Sequence, residues 1–245
     1  NRPHDAIDAF ERLRSIAPSD VEVLFHLADL YGKIDRWSKV IETLSRVDEI
    51  AEGSQQARDA LHQIAKIYIR DLELPDRAVE AYTRLIATWP DDTDAWLQLD
   101  QLYTESAKWT ELADVLRRRA ALEREPATRA QLLARRAQVL LDWLDSPEEA
   151  AAALRHARTV APEDPQLADL LVTALVKAGR DREAAAILED RIDSALAPGG
   201  AAGRDGSVSM SRGELAGLYI RLAQIRPERL SDQDGAREAI EPARA

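Results

Sequence analysis

Residues 61–90 read LHQIAKIYIRDLELPDRAVEAYTRLIATWP, and the spacing of apolar side chains in this stretch decides the fold. Leu61, Ile64, Ala65 and Tyr68 recur at three- and four-residue steps. With 3.6 residues to a turn, that spacing puts them on one face of an α-helix. Leu74-Pro75-Asp76 interrupts the pattern and starts a second helix. Proline costs little there, because its missing N–H would be unpaired at a helix start in any case. Ala78 and Tyr82 lie one turn apart on the second helix, and Trp89-Pro90-Asp91-Asp92 ends it. The stretch therefore predicts a helical hairpin with an apolar face that it cannot bury alone.

Working outward, the same features return along the chain. Pro18, Pro90 and Pro162 stand 72 residues apart, as do Ala6, Ala78 and Ala150, and Phe10, Tyr82 and Leu154. Leu27, Leu99 and Leu171 keep this step, as do Leu44, Leu116 and Leu188, and Asp20, Asp92 and Asp164. Tyr31 and Tyr103, Trp37 and Trp109, and Pro75 and Pro147 follow it as well. Within that period Leu24, Leu61, Trp96, Leu133 and Ala168 alternate at 37 and 35 residues, so each unit is a pair of hairpins. Breakers separate the helices at Gly32 to Asp35, at Asp145-Ser146-Pro147 and at Ala161-Pro162-Glu163-Asp164. Asp or Ser at such points is expected to cap the exposed amides of the next helix.

The composition agrees with helix. The 245 residues are 45% hydrophobic and 31% charged, with only 10 Gly and 11 Pro. Without Cys there is no disulfide framework, Cys-ligated zinc or thiol nucleophile. No apolar run approaches the roughly 18 residues of a membrane span. A net charge of −11 opposes generic binding to nucleic acid, whose phosphates call for a basic surface. The charge is uneven: residues 1–116 hold 13 basic and 23 acidic side chains, whereas residues 117–136 hold seven Arg against two Glu. Arg117, Arg118, Arg124, Arg129 and Arg135 form a candidate basic patch within that island, beside the bland reading of a solvated helix face.

The pattern resembles the tetratricopeptide (TPR) repeat, in which Trp, two residues, Leu-Gly, two residues and Tyr are followed by Ala, three residues, Phe and then Pro. Leu61, Ile64, Ala65 and Tyr68 with Ala78, Tyr82 and Pro90 make the most complete copy. Trp96, Leu99 and Tyr103 with Leu112 and Leu116 make another, and Ala6, Phe10 and Pro18 are the second half of one more. Asp100, Arg136, Leu140 and Leu175 depart from the pattern. The resemblance, closest to long helical-repeat proteins of bacterial type, implies an all-α, right-handed α-α superhelix (a TPR-like solenoid) of about 13 antiparallel helices. A partial repeat over residues 3–18 is expected to precede hairpins at about 20–52, 54–90, 92–124, 126–162 and 164–196, all within a solenoid spanning 1–196. The Gly-rich residues 197–209 read as a flexible insertion, since no strand precedes them and no Gly-Lys-Ser/Thr ending follows. Residues 210–245 read as a final, incomplete hairpin, and the whole as part of a longer chain.

Catalytic signatures are sparse. His4, His26, His62 and His156 lack paired metal-ligand spacing, and no nucleophile elbow, zinc-protease motif or dinucleotide fingerprint occurs. The resemblance instead implies a non-catalytic scaffold or adaptor that binds a peptide or helix of another protein, with no cofactor, nucleic acid or membrane insertion. The alternative is a helical-repeat arm of a larger enzyme or of an envelope or secretion assembly. In that family the first helix of each hairpin lines a concave groove, which assigns Phe25, Asp29, His62, Lys66, Leu97, Gln101, Gln138, Asp169 and Thr173 as candidate groove residues. Phe25 and His62 stand out as rings that the core stripe does not need. The subclass that grips a C-terminal carboxylate carries Lys and Asn where Phe25 and Asp29 stand, so that use is not implied. The expected compartment is the cytoplasm, or the periplasm where a leader has been removed.

Overall fold

The computed structural model describes residues 2–196 and 211–225. The insertion read at 197–209 and most of the final hairpin lie outside the described residues. Among these there are twelve α-helices and no strand. A lone helix, α1 (Arg2–Ile16), precedes five helix pairs: α2 (Val21–Gly32) with α3 (Trp37–Ile50), α4 (Gln55–Arg70) with α5 (Pro75–Thr88), α6 (Thr93–Glu105) with α7 (Trp109–Leu122), α8 (Pro126–Asp142) with α9 (Pro147–Val160), and α10 (Pro165–Lys177) with α11 (Asp181–Leu196). A further helix, α12 (Arg212–Ile225), follows.

The helix starts keep the period of the sequence. α2, α6 and α10 begin 72 residues apart, as do α3, α7 and α11, and α5 and α9, while α8 begins 71 after α4. The turns repeat down to single backbone angles. Asp35, Ala107 and Gly179 all adopt left-handed φ, at 56°, 53° and 70°, and Glu73 and Asp145 do so at 54° and 45°. After each of the first three, the next amide reaches back over the helix end: Arg36 N–H to the Tyr31 carbonyl at 2.9 Å, Lys108 to Tyr103 at 2.9 Å, and Arg180 to Leu175 at 2.8 Å. These bonds satisfy carbonyls that the end of a helix leaves open, which holds the residue in a conformation only glycine adopts freely.

Aspartates at the repeated position start three of the first helices. Asp20 accepts from Glu22 and Val23 N–H, Asp92 from Ala95 N–H and Asp164 from Gln166 N–H. Glu125 does the same for α8, ahead of Pro126. Ser146 does not cap α9: its hydroxyl donates to the Leu144 carbonyl at 3.0 Å, and the left-handed Asp145 before it directs the turn. Gly32 belongs to α2 as its last residue and is not part of the breaker.

The described residues divide into two compact units, before and after the Val115–Leu116 bond. In the first, α1 packs on α2, and each helix through α5 packs on its successor. In the second, α8 through α11 do likewise, and α8 also meets α10. Close approach relies on small residues: Ala28, Ala65 and Ala137 on first helices and Ala78, Ala150 and Ala184 on second helices are all buried. Leu44, Leu116 and Leu188 are fully buried at the same place in three copies. Each such leucine is worth about 1.5–3 kcal/mol over an exposed one.

Candidate functional site

In the first unit the helices α2, α4 and α6 turn an apolar stripe to the core and leave the adjoining face to solvent. Glu22 and Asp29 on α2, Asp59 and Lys66 on α4, and Asp94, Leu97 and Gln101 on α6 are exposed. Leu97 is 46% exposed, which makes it an apolar side chain without a core to serve. Gln101 donates to Glu105 at 2.8 Å within its own helix. Phe25 is half-buried against the core.

Phe25 and Asp29 share a pocket of about 490 Å³. Its walls are Phe25, Ala28 and Asp29 of α2, Trp37 and Val40 of α3, and Gln63 and Ile67 of α4, with Gly32 and Lys33 at the end of α2. The floor is apolar. At the rim Lys33 Nζ lies 2.5 Å from Asp29 Oδ2, both well exposed, a pairing worth little in water.

His62 is engaged elsewhere. Its Nε2 lies 2.8 Å from Asp92 Oδ2, and its ring meets the edge of Tyr82 with centroids 6.0 Å apart. Arg58 Nε donates to the same Asp92 oxygen at 2.6 Å, while Asp92 Oδ1 accepts from Ala95 N–H at 2.9 Å. Asp92 thus joins α4 to the start of α6 from a buried position. Burial works to raise its pKa, but the Ala95 amide, Arg58 and His62 outweigh burial and hold it below the ordinary carboxylate range. Tyr82 is pushed up to about 12, first by burial and then by Asp94 and Asp92.

In the second unit Gln138 is exposed on α8, and Asp169 and Thr173 hold α12 to α10. Arg221 Nη1 donates to Asp169 Oδ1 at 2.6 Å and Nη2 to Thr173 Oγ1 at 3.2 Å, and Arg191 of α11 donates to the same Asp169 oxygen at 2.7 Å. A smaller pocket of about 350 Å³ lies beside this cluster, lined by Val172, Thr173, Val176, Lys177 and Asp181 and by Arg221, Gln224 and Ile225. The first five stand 144 residues, two full periods, after Ala28, Asp29, Gly32, Lys33 and Trp37. The two pockets occupy the same position in the repeat.

The structure therefore brings Phe25 and Asp29 together and joins Asp169 to Thr173 through Arg221. His62 bonds Asp92 and meets Tyr82, neither of them among the candidates. Of the basic patch, Arg117, Arg118, Arg124 and Arg135 are exposed, whereas Arg129 is half-buried and its Nε braces the turn before α8 by donating to the Glu123 carbonyl at 3.0 Å. Sequence reasoning missed Asp92 as a hub, Arg58 and Arg221 as the donors that tie one helix to another, and Gly32 as part of a pocket. One signal for Gly32 was present: the corresponding residues in the other copies are Ile69, Thr104, Leu141 and Val176. Among the described residues no three His, Asp or Glu side chains group as a metal site requires, and no helix is long and apolar enough to cross a membrane.

Sequence models of the tetratricopeptide repeat match residues 59–92 and 95–130. No curated protein matches the chain. Similar solved structures include a tetratricopeptide repeat protein from Parabacteroides merdae, 13% identical over 99% of this chain and 86% of that one, with a TM-score of 0.39. MamA from Desulfovibrio magneticus is 14% identical over 71% of this chain and 93% of its own, with a TM-score of 0.37. YrrB, described as a TPR protein with an unusual peptide-binding site, is 13% identical over 76% and 92%, with a TM-score of 0.40.

Proposed function

We propose that this chain, which belongs to the tetratricopeptide repeat family, is a non-catalytic scaffold that binds a peptide or helix of another protein along the exposed face of its first helices. The observation that carries the reading is the contrast between two sets of positions in the same helices. Leu27, Leu99 and Leu171 are identical and buried, as a shared core requires. Two residues earlier stand Phe25, Leu97 and Asp169, and two residues later Asp29, Gln101 and Thr173. A face that differs from copy to copy over a constant core presents a distinct surface at each hairpin, which suits recognition of one particular partner. The open pocket at Phe25 and Asp29 and the exposed Leu97 supply apolar anchors on that face.

Crosslinking of the full chain to its captured partner tests this. Lys33 closes the end of α2 beside the pocket and Lys66 lies on α4, both exposed, and Lys39 is exposed on a second helix. Crosslinks concentrated at Lys33 and Lys66, with recovery of the partner lost in Leu97→Glu, are the expected outcome. Crosslinks concentrated at Lys39, with recovery unchanged in Leu97→Glu, would overturn the reading.

A further inference from the structure

We infer that the pocket where α2, α3 and α4 meet receives a bulky apolar side chain from a positively charged segment of the partner, an inference that rests on the scaffold reading above. Gly32 is the first observation. It closes α2 in ordinary helical conformation, and the left-handed residue of the turn is Asp35, three positions on. A Cβ added at Gly32 would stand 3.7 Å from Trp37 Cζ3 and 4.0 Å from Val40 Cγ2, which is ordinary contact. Neither backbone angle nor crowding therefore calls for glycine, a residue that weakens a helix. What its missing side chain leaves is room over Trp37 and Val40.

The second observation is the equivalent pocket, where Val176 stands in place of Gly32 and Arg221 reaches across from α12. That pocket is smaller, at about 350 Å³ against about 490 Å³, and a residue of the chain itself already engages its polar rim. The larger one is walled by Phe25, Trp37, Val40 and Ile67, and only Asp29, Lys33 and Gln63 at its edge are polar. Such walls suit an aromatic side chain, Leu or Met.

Charge selects the segment that carries it. Residues 1–115 hold 13 basic and 23 acidic side chains, whereas residues 116–245 hold 20 and 21. The unit with the open pocket thus carries nearly all of the net charge of −11. A field of that sign draws in cationic segments and repels acidic ones.

Random short peptides displayed on phage and selected against the full chain provide the test. Enriched peptides are expected to combine Lys or Arg with Trp, Phe, Leu or Met, and to bind more weakly as ionic strength rises. Gly32→Leu fills the pocket from α2 and Gln63→Trp covers it from the exposed rim on α4, so one variant serves if the other alters the circular dichroism spectrum. Each is expected to lower affinity roughly 30- to 100-fold, which at about 1.4 kcal/mol per tenfold matches the about 2–3 kcal/mol of one buried apolar side chain. Acidic peptides, or affinity unchanged in both variants while Leu97→Glu still weakens binding, would overturn the pocket assignment and leave the scaffold standing. No enrichment, or affinity indifferent to all three changes, would overturn both.

Discussion

Asp92 and Asp164 stand 72 residues apart at one place in the repeat, and each caps the helix it precedes. Their surroundings differ. Asp92 is buried and also accepts from Arg58 and bonds His62, whereas Asp164 is half-buried and serves its own helix. The residues that correspond to Arg58 and His62, 72 positions on, are Ala130 and Ala134. Neither alanine has a side-chain donor to offer Asp164. The period thus dictates the backbone role of a position, while the preceding first helix decides what else its side chain does.

The largest effect expected of this contrast is on stability. Asp92→Ala removes a cap and strands Arg58 and His62, costing about 3 kcal/mol or more, whereas Asp164→Ala costs about 1 kcal/mol for the cap alone. Urea unfolding monitored by circular dichroism measures both, and equal losses would break the comparison. Acid sharpens it next. The folded-state pKa of Asp92 lies below its unfolded value, so its stabilisation is complete above the ordinary carboxylate range and fades as pH falls through the folded value. The stability gap between the wild type and Asp92→Asn is expected to hold near neutrality and to close below about pH 4. A gap that stays constant to pH 2 would show that charge is not what Asp92 contributes.

The turns offer a smaller test in which equivalent positions respond with opposite sign. Ala107 and Gly179 share a left-handed backbone, so Ala107→Gly is expected to raise stability by about 1 kcal/mol and Gly179→Ala to lower it by about as much. Thermal melts of the two variants check this pair. The smallest effect is expected at Asp48, a second buried carboxylate in the first unit. Burial raises its pKa despite the guanidinium of Arg84, so its ionised form is disfavoured in the fold. A raised folded value means lost stability as pH climbs past the ordinary range, and Asp48→Asn is expected to stabilise the chain at pH 7 by less than about 1 kcal/mol. Loss of stability in that variant would put Asp48 with Asp92 instead of opposite it.

Much of the fold was legible because helices are written in local spacing. The stripe Leu24, Leu27, Ala28 and Tyr31 is buried, and the repeated aspartates at 20, 92 and 164 mark helix starts. The site was less legible. His62 read as a free ring beside the core stripe, yet its partner Asp92 lies 30 residues away, a pairing that no three- or four-residue period encodes. Asp169 and Thr173 read as open surface, and their engagement by Arg221, about 50 residues on, depends on a helix that begins 47 residues after α10, where α4 begins 34 after α2. The Gly32 pocket was within reach of sequence reasoning, because comparison of the copies isolates the one glycine at that position. The turn residues were less so: Asp35 and Ala107 share the place of Gly179 in the 72-residue period, but neither is the glycine that the conformation favours.

In the first unit each helix packs on its neighbour in sequence, from α1 to α6. Such a body has low contact order, so it closes only short loops as it forms and folds quickly for its size. The same wiring governs how it yields. A pull on its ends meets one interface at a time instead of a shear across the whole body, and each hairpin released adds about 36 residues, or about 120 Å of extended chain. Under tension the unit would lengthen in steps, a compliant link whose increments are set by the repeat.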